Sequence, residues 1–180
     1  MNGTALTGTA NLPVQPEVTW QIAGVGDFNG DRSVDILWRN VSGGRNQVWY
    51  MNGITVTGYM GIAELKDTAW RIAGLGDFND DDKVDILWRN YVTGNNQVWY
   101  MDGVTRIGIV DLMELTELTW QIAGTGDFNQ DGKIDILWRR YSDGMNMIWY
   151  MDGIVRIGFE NIETRADLTW RIVGNGDYKE

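Results

Sequence analysis

"TWQIAGVGDFNGDRSVDILWRN", residues 19 to 40, returns at 69 to 90 as "AWRIAGLGDFNDDDKVDILWRN" and at 119 to 140 as "TWQIAGTGDFNQDGKIDILWRR". Trp20, Trp70, Trp120 and Trp170 stand 50 residues apart; the same interval relates Trp38, Trp88 and Trp138, and again Trp49, Trp99 and Trp149. All ten tryptophans fall in these three columns, so the repeat organises the whole chain. A fixed period of this length means a repeated supersecondary unit, and about 40 to 50 residues is the size of a four-stranded propeller blade.

Local pattern selects sheet over paired helices. Each unit holds four short β-rich runs separated by turn residues. In the first unit these are "TWQIAGVG" (19 to 26), "VDILWR" (34 to 39), "NQVWYM" (46 to 51) and "ITVTGYM" (54 to 60), strands A to D. Asn52-Gly53 lies between C and D and returns as Asp102-Gly103 and Asp152-Gly153. Such a dipeptide suits the positive φ angles of a type I′ hairpin. Strands B and C carry large side chains on both faces, Ile36 and Trp38 against Leu37, Val48 and Tyr50 against Trp49. A sheet buried on both sides fits a blade stacked between neighbours. The expected fold is an all-β propeller of four-stranded antiparallel blades.

The register divides residues 1–180, a single repeat domain, into five parts. Met1-Asn2-Gly3 aligns with Met51-Asn52-Gly53, so 1–18 reads as a strand D (4 to 10) and connector of a preceding blade. Residues 19–68, 69–118 and 119–168 are three whole blades, and 169–180 starts a fourth with a strand A (169 to 176). About three and a half blades fall short of the four to eight with which propellers close. They would also leave edges and apolar faces open. Either the chain is a piece of a larger propeller or several copies assemble to close one; the expectation is a homo-oligomer, a dimer that completes one propeller.

The loop between A and B sets oxygen-bearing side chains at positions 1, 3, 5 and 9. They are Asp27, Asn29, Asp31 and Asp35; Asp77, Asn79, Asp81 and Asp85; and Asp127, Asn129, Asp131 and Asp135. Calcium takes six to eight oxygens from carboxylates, amides, backbone carbonyls and water. Alternate side chains of a curled loop can face one centre, with the backbone carbonyls of Ser33, Lys83 and Lys133 at position 7 adding to the set. Asx turns explain one or two such positions. Three loops each gathering several carboxylates need a cation to offset the repulsion, so about three calcium ions per chain are expected.

Composition narrows the rest. At 180 residues and 43% hydrophobic content the chain can bury a real core. Its apolar runs are far too short to span a bilayer. Without cysteine or histidine there is no disulfide framework, no thiolate metal site and no histidine-based acid–base chemistry. Asp111 and Glu114 form an acid pair, but these positions differ between repeats, and the expectation is not an enzyme. A net charge of −10 opposes binding to nucleic acid.

The pattern Asp-x-Asx-x-Asp-Gly-x-x-Asp, matched fully by "DFNQDGKID" (127 to 135), resembles the FG-GAP/VCBS family of propeller repeats, found in integrin α-subunit heads, secreted bacterial proteins and some fungal lectins. The other two loops depart at position 6, where Arg32 and Asp82 replace the glycine, so the third is expected to bind calcium best. The resemblance covers nearly the whole chain. It implies a calcium-stabilised module for protein or cell-surface interaction, extracellular or periplasmic.

Two readings compete for the aromatic columns. Indoles fill gaps between blades, or an exposed ring beside an amide stacks on a sugar. The second makes Trp38, Asn46 and Trp49, Trp88, Asn96 and Trp99, and Trp138, Asn146 and Trp149 candidate glycan contacts, as in a lectin. Arg39, Arg89 and Arg139 are expected to bond loop carbonyls or stack on aromatics.

Overall fold

In the computed structural model, residues 8–172 are described. They contain no helix and twelve strands. The first four are β1 (Trp20–Gly26), β2 (Asp35–Asn40), β3 (Asn46–Asn52) and β4 (Thr55–Ile62). Next come β5 (Trp70–Gly76), β6 (Asp85–Asn90), β7 (Asn96–Asp102) and β8 (Thr105–Leu112). The last are β9 (Trp120–Gly126), β10 (Asp135–Arg140), β11 (Asn146–Asp152) and β12 (Val155–Ile162). Each set of four is one antiparallel meander paired in chain order. The all-β class and the 50-residue unit are as expected, with strand limits displaced by one or two residues. The expected strands at 4 to 10 and 169 to 176 lie partly outside the described residues, and 8–10 and 169–172 carry no strand.

The hairpins differ from expectation by one residue. Asn52 pairs with Thr55, so Gly53 and Ile54 are the central residues. Gly53, Gly103 and Gly153 have φ near +60, while Asn52, Asp102 and Asp152 stay out of that region. A positive φ at the first central residue only is the pattern of a type II′ turn. The register also slips twice per sheet, between Ile22 and Gly24 and between Tyr50 and Met51 in the first, with counterparts in the others. Such bulges bend a strand and increase its twist.

Burial on both faces is realised in the second strands: β2 and β6 are buried throughout. Junctions between sheets are made of repeated halves. Phe28, Leu37, Val48 and Ile62 of the first sheet meet Ile86, Trp88, Trp99 and Met101 of the second. Phe78, Leu87, Val98 and Leu112 then meet Ile136, Trp138, Trp149 and Met151. Ile36, Trp38, Trp49 and Met51 form a third cluster belonging to the first sheet alone. First strands touch first strands, β1 with β5 and β5 with β9.

Each connector is locked to the loop between the second and third strands of the sheet it leaves. Leu65, Leu115 and Arg165 donate their N–H to the carbonyls of Gly44, Gly94 and Gly144. A Cβ on Gly94 would stand 2.5 Å from the Leu115 carbonyl oxygen, at a φ of +85. Gly94→Ala is therefore expected to cost about 3 kcal/mol, from left-handed strain plus backbone displacement. Gly132→Ala, at φ +86 but facing open space, should cost about 1 kcal/mol. Urea denaturation of the two variants checks the contrast; equal losses would refute it.

Candidate functional site

The three A–B loops share one conformation, built around the acid at position 1. Asp27 accepts N–H bonds from Asn29, Gly30 and Arg32, the last at 2.7 Å. Asp77 likewise accepts from Asn79, Asp81 and Asp82, and Asp127 from Asp131 and Gly132. Position 5 is tied in the same way: Ser33, Lys83 and Lys133 donate their N–H to Asp31, Asp81 and Asp131. The side-chain amides of Asn29, Asn79 and Asn129 also reach these carboxylates. Positions 1, 3 and 5 thus come together in every loop.

The acid at position 9 has a second task. Asp35, Asp85 and Asp135 are fully buried. One carboxylate oxygen accepts from Phe28, Phe78 or Phe128 N–H, and the other from Met51, Met101 or Met151 N–H, all at 2.9 to 3.0 Å. These side chains staple the loop to the third strand of the same sheet. Sequence reasoning assigned them to metal alone, because their partners are backbone groups that leave no mark in residue type.

Glycine at position 6 is not required for the loop to form. Arg32 and Asp82 take φ of 67 and 63 there, beside 86 for Gly132. Position 4 is left-handed too, at Gly30, Asp80 and Gln130. The strain at a non-glycine residue is about 1 to 2 kcal/mol. Arg32→Gly is accordingly expected to stabilise the chain by about 1 kcal/mol, read from the urea midpoint; an unchanged or lower midpoint would count against this account.

Charge in the second loop is crowded. Burial pushes the Asp85 carboxyl up to about 6, and the carboxylates of Asp81 and Asp77 push in the same direction. Burial raises Asp135 as well, whereas the Ser33 N–H holds Asp31 below the usual carboxylate range. The donor set is all hard oxygen, which suits calcium. Among the described residues, however, no three acidic side chains converge on one point as ligands do. Holding an ion would require carboxylates now turned to backbone N–H groups to share their remaining lone pairs with it. The side chain of Lys83 bonds Asp102 at 2.8 Å, and that of Lys133 reaches Asp80 of the preceding loop.

The aromatic columns lie inside. Trp88, Trp99, Trp138 and Trp149 are essentially fully buried, and Trp38 and Trp49 are buried as well. Within each sheet the two indoles pack with ring centroids 4.7 to 4.9 Å apart, tilted by about half a right angle. The indole N–H groups of Trp38, Trp88, Trp99, Trp138 and Trp149 have no protein acceptor among the described residues, and the buried rings pack as apolar fill. Asn46, Asn96 and Asn146 are also buried. Each donates to a connector carbonyl, Ala63, Met113 or Glu163, at 2.7 Å. Each also accepts from Arg39, Arg89 or Arg139. This packing leaves these side chains no free face for a sugar.

The arginines form clamps. Arg39 donates to the carbonyls of Gly44, Leu65 and Trp70 and lies over the Trp88 ring at 4.7 Å. Arg89 donates to Gly94 and Leu115 and lies over Trp138 at 4.8 Å. Burial lowers the pKa of both. Arg106 and Arg156 add a further cation over Trp99 and Trp149; the sequence signal was their shared place in the fourth strand. Compared with models of known protein families and with curated protein sequences, the chain finds no match.

Proposed function

We propose that the chain is an extracellular or periplasmic, calcium-stabilised β-propeller module of the FG-GAP/VCBS kind, acting in protein or cell-surface interaction. The observation that carries this reading is the loop at 27–35, 77–85 and 127–135, which adopts one conformation three times although position 6 changes from Arg to Asp to Gly. Asp, Asn and Asp at positions 1, 3 and 5 would hold the ion, joined by the acid at position 9 and the carbonyl at position 7. The bound cation would neutralise the crowded carboxylates and fix the turn. Contact between successive first strands supports the propeller, since that is how blades meet around an axis.

A protein ligand is favoured by the outer strands. β4, β8 and β12 expose Tyr59, Ile109 and Phe159 at equivalent positions, with Met60, Ile107 and Ile157 nearby. Apolar side chains grouped on a surface mark contact sites for other proteins.

Calorimetric titration of metal-stripped protein with calcium tests the metal reading. Three binding events per chain are expected, and Asp131→Ala should remove one while leaving two, because each loop is local to its own sheet. No heat of binding in the intact chain would overturn the proposal.

A further inference from the structure

Each junction inside the chain joins a trailing half from one sheet to a leading half from the next, and among the described residues one half of each kind has no matching sheet at the ends of the stack. The unmatched leading half is the first sheet's Trp38 cluster, where Ile36, Trp38 and Trp49 are buried less completely than Ile86, Trp88 and Trp99 and Pro13 and Val14 lie beside Trp49. The unmatched trailing half is on the third sheet. There Phe128 is 37% exposed, where Phe28 and Phe78 are 3% and 2%, and Ile162 is 40% exposed, where Ile62 and Leu112 are 6% and 7%. On the opposite end Val34 is 62% exposed, although its counterparts Val84 and Ile134 lie against Gly26 and Gly76 of the preceding sheet.

These two surfaces match the two sides of the junctions already formed twice, with Ile148 in place of Val48 and Val98 as the one new residue type among the buried trailing positions. We propose that they join each other between two copies of this chain, the third sheet of one receiving the first sheet of the next. Arg39 stacks on Trp88 and Arg89 on Trp138. By the same step Arg139 stacks on the partner subunit's Trp38. A cavity of about 270 Å³ lined by Arg139, Asn146, Ile162 and Trp170 lies beside this guanidinium. Trp170 is 56% exposed, where the sheet-borne Trp120 is 5%, so it is not packed as the sheet-borne indoles are. The partner's first strand displaces the chain's own Trp170, Arg171 and Ile172, which line that cavity after a connector turned like those before Trp70 and Trp120, and takes the place beside β9 that β9 itself takes beside β5.

The contact is heterologous, and such contacts give rings when the rotation closes. One copy supplies three sheets; two supply six, inside the range of four to eight at which propellers close. The count of two rests on the propeller reading. The seam rests on apolar packing and not on calcium, so it should persist in chelator and be judged apart from the metal sites.

Sedimentation of the 180-residue chain in chelator and in calcium is expected to give twice the 20.4 kDa chain mass. Phe128→Asp should reduce it to the single-chain mass with the strand signal in circular dichroism retained. Because the chain has no cysteine, paired cysteines report on the seam even if that variant fails to fold. Gly76→Cys with Ile134→Cys should close a disulfide within one copy, and Gly126→Cys with Val34→Cys one between copies, giving a covalent pair that reductant separates. A folded single-chain species would overturn the proposal, as would an open ladder of larger species. So would a pair in which the second cysteine set fails to cross-link while the first succeeds.

Discussion

Saturating calcium is expected to raise the free energy of unfolding of the metal-free chain by about 8 kcal/mol. Each loop that binds only in the folded state contributes about 2.7 kcal/mol when the free ion stands at a hundred times its dissociation constant, and there are three loops. The loops keep their shape through side-chain to backbone bonds, so little chain entropy remains to be lost on binding. The cation would face the carboxylates of Asp77, Asp81 and Asp85, the last pushed up to about 6 chiefly by burial. Thermal melts in calcium and in chelator measure the difference. Superimposable melts would remove calcium from the account, leaving the aspartates as turn-formers and strand staples.

The second large effect is expected at Arg89. This fully buried guanidinium has no carboxylate among its hydrogen-bond partners; it is held by the Gly94 and Leu115 carbonyls and the Asn96 side chain, with the Trp138 ring over it. Arg89→Met keeps the aliphatic stem but takes the donor from the Leu115 carbonyl and the Asn96 side-chain oxygen, while the Gly94 carbonyl keeps only the Leu115 N–H. Losing charged hydrogen bonds of this kind costs about 1.5 to 3 kcal/mol each in isolation. Two acceptors left unsatisfied put the expected loss at about 2 to 6 kcal/mol. Arg89→Lys should fall between, because a lysine lacks the planar fork that spans the loop and the connector together. Urea denaturation of both variants provides the check, and a loss below about 1 kcal/mol for Arg89→Met would show that the clamp is dispensable.

The tryptophan columns made the repeat legible, and with it the class of fold, because a large ring needs the same pocket in each unit. Strands were legible to within a residue or two. Their bulges were not: an extra residue such as Ala23 or Thr57 leaves a period-two pattern nearly intact to the eye while shifting every pair beyond it. The same blindness moved the hairpin, since Asn52 and Gly53 both belong to turn chemistry and only the pairing of Asn52 with Thr55 decides which two residues are central. In the loops, aspartate and asparagine spacing revealed that positions 1, 3 and 5 gather. It could not reveal that Asp35 and its equivalents already hold two backbone amides each, nor that arginine would accept a left-handed φ at position 6. The roles of Arg39, Arg89 and Arg139 were legible as carbonyl binding and aromatic stacking; the carbonyls themselves, up to 31 residues away, and the rings on the next sheet were not.

Arg39 carries a consequence for the continuity of the chain. It holds the carbonyl of Leu65 and that of Trp70 with the same nitrogen, while Lys66 and Asp67 between them are exposed. A protease that cuts after Lys66 would therefore release neither piece: both new ends stay tethered to one guanidinium, and the apolar junction behind them is untouched. The peptide link between the first two sheets is in this sense redundant, and the chain divides there into fragments suited to reassemble as a split protein.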